Sequence, residues 1–521
     1  MIIKALLDTS RRLRRPSADS APSVTHRWLS MSPQELRKPQ PLLMTPKVVA
    51  SIRQTVGTRP AESGGALVGP GPNGVISHFH FDTNARTTGA TYSPDVDTIN
   101  ALARTTWKAQ GQTLLGFVHS HPRGATRPSG GDLSYAERIL SVRPRLDRFA
   151  LPIAQTVPDT GAFSLYGAVA VRDGHRVRIE QTPISVVPDS SGLRSPDDGA
   201  WDRVRTAYDL GAMSRTRIVV VGCGGSAAFI EDMARCGIGE IVLIDPDVVD
   251  RPNIGTQQVY RSDLGRPKVD ALAERILDVS RHVRVLSVQA LLDELDDTTM
   301  TRLLTSPLPH GRIGQPALTV LCGFTDNFWA QARVNRLALT NGVPQLHAGV
   351  YTEGRGIELF FSVPDHSQAC ARCVLHSRYD QYLNHGFQND VTSHGTPLLA
   401  TNRLNELKSI VMLSMIHGTS PAADLAQPAT GRWSSVLDYV APRNFVQVGL
   451  EPLHDPVLGL RVFRSVAELD PRGRLGMDQT IWHDKTARGD CPDCGGSGDL
   501  TKAIGSIPNT TLHPRTNRKA S

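Results

Sequence analysis

The sequence predicts an α/β protein of two successive units. Three observations carry this. First, short runs of β-branched and apolar residues alternate with stretches of helical spacing, the pattern of a mostly parallel sheet covered by helices on both faces. Second, one such run, RIVVV (217–221), leads straight into a glycine turn and a helix. Third, an earlier apolar run ends in a His-Ser-His triplet followed by a polar, glycine-rich loop. With 521 residues the chain has room for two or three domains.

Taken in order, residues 1–40 are rich in Arg, Ser and Pro and lack sustained periodicity, which predicts a disordered basic arm. Residues 41–185 form a compact α/β unit. Residues 186–200, dominated by Pro, Ser, Gly and Asp, are expected to be a linker. The second unit spans 201–500, and 501–521 is expected to be a flexible tail. Lysine plus arginine exceed aspartate plus glutamate by 57 − 50 = 7, a mild excess that does not call for a specific nucleic-acid site. No apolar run has the roughly 18–20 residues of a membrane span, so no membrane partner is expected. Seven cysteines without a dense framework argue against a disulfide-stapled secreted fold. A cytoplasmic location is the expectation.

In the first unit, TLLGFV reads as a strand entering His119-Ser120-His121. Side chains at i and i+2 of a strand share a face, so both imidazoles can reach one metal ion. Asp132, at the start of the helix LSYAERIL, supplies a third ligand, and water completes a zinc site. Zinc lowers the pKa of that water towards about 7, giving a nucleophile near neutral pH. Glu62, before a glycine pair and an apolar strand, is the candidate base, and Ser129 the candidate oxyanion donor. Singly, these residues have ordinary readings: a surface His-x-His, a helix-capping Asp, a solvated Glu. Their conjunction resembles the JAMM (MPN-type) metalloprotease family. That pattern is an upstream Glu, then His-Ser/Thr-His-Pro, seven residues from the proline, Ser, two residues and Asp; Pro122 to Pro128, Ser129 and Asp132 fill it. The resemblance implies a cytidine-deaminase-like sheet, catalytic Zn²⁺ at His119, His121 and Asp132, and hydrolysis after the C-terminal glycine of a ubiquitin-like protein.

In the second unit the strand RIVVV turns at Gly222-Cys223-Gly224-Gly225 into the helix AAFIEDMARCG. Free N–H groups and the helix dipole make this turn a phosphate cradle. Asp245 ends the next strand, EIVLID, where a carboxylate accepts ribose hydroxyls. These features alone leave an NAD-dependent dehydrogenase open. Asp247, Asn253, Gln257, Lys268 and Asp326 favour ATP: a lysine can neutralise phosphate and an aspartate can hold Mg²⁺. With these residues the unit is similar to the ubiquitin-activating, ThiF/MoeB-type adenylyltransferases, whose fold is Rossmann-like. The resemblance implies that Asp245 binds ribose, that Asn253, Gln257 and Lys268 bind phosphates, and that Asp326 binds Mg²⁺. It departs at Ala227, where a third turn glycine is usual, and at Thr256, where an arginine is usual.

Two Cys-x2-Cys knuckles, Cys370/Cys373 and Cys491/Cys494, offer four thiolates for a structural zinc. Their long separation suits a clamp fixing a late segment to the sheet domain. Between the first knuckle and the helix LNELKSIVMLSMIHG there is no cysteine, so thioester formation on this chain is not expected. Both resemblances imply the same partner, a small ubiquitin-like or sulfur-carrier protein with a C-terminal glycine, together with a transfer enzyme or sulfur donor, and a homodimer. The alternatives are an adenylyltransferase of a sulfur-transfer or peptide-modification pathway whose first unit only matures the carrier, and a non-catalytic binding scaffold.

Overall fold

The computed structural model describes residues 28–513 except for short stretches, the longest being 188–198, 309–316, 389–395, 420–427 and 451–460. Most of the expected linker therefore lies outside the described residues.

The second unit is built on a nine-stranded sheet. Its order is Trp28–Ser30, Arg284–Val288, Glu240–Ile244, Thr216–Val221, Leu318–Gly323, Gln345–Val350, Gly356–Ser362, Phe445–Gly449 and Gln479–His483. Neighbours are parallel up to Gln345–Val350 and antiparallel beyond it. Alternation along the central strand sorts its side chains to two cores. Ile218 and Val220 pack with the helices Ala227–Arg235, Lys268–Val279 and Leu398–Gly418. Val219 and Val221 pack with Asp297–Thr305 and Phe328–Asn341. This two-sided burial is why the strand reads as an unbroken apolar run.

The first unit has an eight-stranded mixed sheet. Its strand Gln112–Ser120 pairs antiparallel with Gly64–Pro70, placing His119 opposite Gly64, and parallel with Ile153–Val157. The helices Pro46–Thr55 and Gly130–Val142 share its apolar core through Val48, Ile52, Ala136 and Leu140. No helix among the described residues is long and apolar enough to cross a membrane.

Two expectations need correction. The arm predicted over 1–40 is ordered from Trp28 onward. Trp28–Ser30 extends the large sheet beside Arg284–Val288, and the Trp28 indole N–H donates to Ser287 Oγ at 3.0 Å. Leu36 is buried against the second unit, and Arg302 donates to the Leu36 carbonyl. A free sheet edge supplies hydrogen bonds that no local pattern announces. The tail predicted over 501–521 is likewise anchored to the second unit at intervals as far as Leu512. Ile507 and Thr510 are buried, Thr510 N donates to Asp297 Oδ2 at 2.9 Å, and Arg333 Nε donates to Thr510 Oγ1 at 3.2 Å. Residues 1–27 and 514–521 lie outside the described residues.

Candidate active sites and zinc clamp

The metal strand ends where the sequence places the histidines. His119 and His121 turn their Nε2 atoms towards each other, 2.8 Å apart. Around that point stand Asp132, with Oδ1 3.4 Å from His119 Nε2 and Oδ2 3.8 Å from His121 Nε2, and Glu62, with Oε2 4.0 Å from His119 Nε2. Burial drives the His119 imidazole well below its usual pKa, and the charge of His121 adds to this while Asp132 opposes it. A neutral imidazole is the form that ligates metal. Burial first, and then the neighbouring Asp132 carboxylate, push the Glu62 carboxyl up to about 7. Two imidazole nitrogens and the Asp132 carboxylate converging on one point fit a zinc site with its fourth position open to water, and Glu62 stands beside it.

Local structure explains the convergence. Ser129 caps the helix Gly130–Val142, accepting from Asp132 N, while its hydroxyl donates to Asp132 Oδ2 at 2.7 Å. Ser129 thus aims Asp132, and its hydroxyl proton is committed to that carboxylate. Glu62 is set by the register of the neighbouring strand, where Ser120 N donates to Ser63 O at 2.8 Å. Sequence reasoning missed Tyr92, which stacks on His119 with ring centroids 5.4 Å apart and donates to Asp82. A Cβ on Gly64 would lie 2.5 Å from Val118 O, 2.8 Å from His119 Cβ and 2.9 Å from Tyr92 Cζ. Gly64→Ala is therefore expected to displace His119 and cut bound zinc from two ions per chain to one, read by elemental analysis. Two ions retained would contradict this packing.

The glycine turn also gathers its expected neighbours. Gly222 has a φ of +89°, and a Cβ there would meet Phe324 O at 2.7 Å and Thr325 N at 3.0 Å. The turn thus abuts the strand end that leads to Asp326. Asp245 is buried and accepts from Cys223 N at 2.7 Å and Asp247 N at 2.9 Å. Burial raises its pKa, and those two amides oppose the rise. Lys268 Nζ lies 2.8 Å from Asp247 Oδ2. Asn253 opens a short helix and accepts from Asp250 N. Gln257 Oε1 is buried without a partner, and a Cβ on Gly224 would fall 2.6 Å from it. A turn that only glycine permits, opening a helix, fits a phosphate-bearing ligand such as ATP, while the unpaired Gln257 oxygen, an acceptor, suits a hydroxyl or amino donor rather than phosphate. Gly225 O accepts from Asn405 Nδ2 of the helix Leu398–Gly418, a contact sequence reasoning did not find.

The four knuckle cysteines cluster. Cys370 Sγ is 3.8 Å from Cys373 Sγ and 3.7 Å from Cys491 Sγ, and Cys373 Sγ is 3.5 Å from Cys494 Sγ. Tetrahedral Zn–S bonds of about 2.3 Å place sulfurs about 3.8 Å apart, so the set fits a structural zinc. Asp493, inside the second knuckle, binds Arg372, inside the first, at 3.0 Å, and accepts from Asn335 Nδ2 at 3.0 Å. The opposite charges within the two knuckles were the available signal for this link. Cys491→Ser is expected to release that zinc and lower the melting temperature by about 5 °C or more. Calorimetry showing an unchanged transition would contradict the clamp.

Fold and sites together define a two-domain α/β protein: a sheet domain with a buried His/Asp/Glu cluster, then a nucleotide-type domain with a cluster of four cysteines. Residues 46–176 match the model of prokaryotic homologs of the JAB domain, and residues 201–434 match the ThiF family model, so the chain carries one domain of each. The SAMP-activating enzyme E1 of Haloferax volcanii is 31% identical over 168 residues, covering 32% of this chain and 55% of that protein. The molybdopterin-synthase adenylyltransferase of Escherichia coli is 26% identical over 165 residues, covering 31% and 60%. The chain thus spans little more than half the length of these relatives. The crystal structure of E. coli MccB aligns with a TM-score of 0.37 and 15% identity, covering 55% of this chain and 67% of that one.

Proposed function

We propose that the protein is a bifunctional enzyme. Its first domain hydrolyses the bond after the C-terminal glycine of a small ubiquitin-like or sulfur-carrier protein. Its second adenylates the exposed carboxylate with Mg-ATP. The observation that carries this reading is the double convergence: residues distant in sequence close round one point in each domain. The matched relatives are, by their names, a SAMP-activating E1 enzyme and a molybdopterin-synthase adenylyltransferase, which supports activation of a protein substrate by adenylation.

In the first domain, His119, His121 and Asp132 would hold zinc, which supplies a Lewis acid and water of lowered pKa. Glu62 takes a proton at Oε2 and delivers it to the leaving amine. Ser129 and Tyr92 hold Asp132 and His119 in place. In the second domain, Asp245 holds the ribose hydroxyls, the amides of the glycine turn face the phosphates, and Gln257 offers its free oxygen to a donor on the ligand or a water. Lys268 leaves Asp247 to meet phosphate charge, and Asp326 would hold Mg²⁺. The carrier carboxylate attacks the α-phosphate, its new P–O bond replacing the bond to pyrophosphate, which departs.

The test is mass spectrometry of a glycine-tailed carrier incubated with the enzyme, zinc and Mg-ATP. The expected products are a carrier trimmed at glycine and then its adenylate. A carrier that emerges unchanged in mass, with neither trimming nor adenylation, would overturn the reading. A trimmed carrier that becomes a thiocarboxylate or amide once a sulfur or amine donor is added would place the adenylate in a sulfur-transfer or peptide-modification route.

A further inference from the structure

The helix Leu398–Gly418 carries a lysine where an apolar residue would pack. Lys408 is 2% exposed. Its ammonium donates to Ser226 Oγ at 2.9 Å and to Asn405 Oδ1 at 2.9 Å, and lies 4.2 Å from the centroid of the Phe324 ring. All three partners belong to the turn or touch it. Ser226 follows Gly225 and begins the helix Ala227–Arg235, yet makes no capping bond with its side chain. Asn405 donates to the Gly225 carbonyl at 3.1 Å. Phe324 stands at the strand end that packs on Gly222.

Among the described residues no carboxylate lies within ion-pair distance of Lys408. A buried cation without a counter-ion is costly, and neutral oxygens and an aromatic face offset only part of that cost. The other lysine of the crevice, Lys268, already has Asp247 as its partner. The unbalanced positive charge beneath the turn is therefore that of Lys408. We infer that Lys408 is a positioning residue for the nucleotide: it holds Ser226 and Asn405 against the turn and supplies the cationic field that phosphate completes as counter-ion. Burial holds its ammonium down, to about 7, with the Cys322 thiol opposing the shift. An anion on the turn would reverse that depression.

This inference rests on the reading of the turn as a nucleotide site, and the experiment separates the two. Calorimetric affinities for ATP without metal and for adenosine are measured on the full chain and on Lys408→Met and Lys408→Arg. Methionine keeps the length and apolar stem but removes the charge. The expected result is ATP binding weakened about tenfold or more in Lys408→Met with adenosine binding kept, and recovery of most of the loss in Lys408→Arg. Equal loss of both ligands in Lys408→Met would overturn the inference, since a mere prop for the turn acts on both. Unchanged ATP affinity would overturn it while leaving the nucleotide site standing. Wild-type protein that binds neither ligand would overturn both readings.

Discussion

Asp326→Ala is expected to reduce carrier-dependent ATP–pyrophosphate exchange by on the order of 10²-fold or more, while adenosine binding and zinc content stay unchanged. The reason is position. Asp326 follows Thr325, whose backbone nitrogen lies 3.0 Å from where a Gly222 side chain would begin. Asp326 is exposed three residues beyond the strand Leu318–Gly323, and in the proposed reaction its carboxylate would hold Mg²⁺ as pyrophosphate leaves. Asn327 caps the helix Phe328–Asn341 through Ala330 N at 3.1 Å, so the substitution leaves the helix start intact. Exchange at the wild-type rate would remove Asp326 from the chemistry.

Glu62→Gln is expected to lower zinc-dependent cleavage of the carrier tail by about 10²–10⁴-fold while both zinc ions remain bound. Glutamine matches glutamate in size and keeps the neighbouring strand pairing, which runs through Ser63 and Ser120 rather than through the side chain. It cannot accept the proton that the departing amine needs. Glu62 lies with Oε2 4.0 Å from His119 Nε2 and a side chain only 5% exposed, beside the cluster proposed to hold zinc. Cleavage that survives Gln but disappears on zinc removal would assign the proton transfer elsewhere.

Much of the molecule was legible in the sequence where the signal is local. The run RIVVV forms a strand because β-branched residues suit a pleat, and its burial on both faces follows from the helices that flank it. The i, i+2 spacing of His119 and His121 places two rings on one side, as the facing Nε2 atoms show. Glycine at 222 reports its own positive φ. What the sequence hid is non-local. Trp28–Ser30 has no strand pattern of its own and pairs because the sheet offers an open edge. Thr510 is fixed by Asp297 and Arg333, far away in the chain. Ser129 is a short polar residue whose hydroxyl is taken by the nearest acceptor, Asp132, which residue type alone does not disclose. Lys408 looks like the solvated edge of an amphipathic helix until the glycine turn is laid on it.

In the proposed reading one chain holds two separable centres, a metal hydrolase site and a nucleotide site, besides a cysteine clamp. Native mass spectrometry with zinc and Mg-ATP tests it most directly. Two zinc ions and one ATP are expected on the wild-type chain, one zinc with ATP retained in His119→Ala/His121→Ala, and two zincs without ATP in Lys268→Ala. A wild-type chain that carries only the cysteine-bound zinc, or that loses ATP when the histidines are removed, would contradict it.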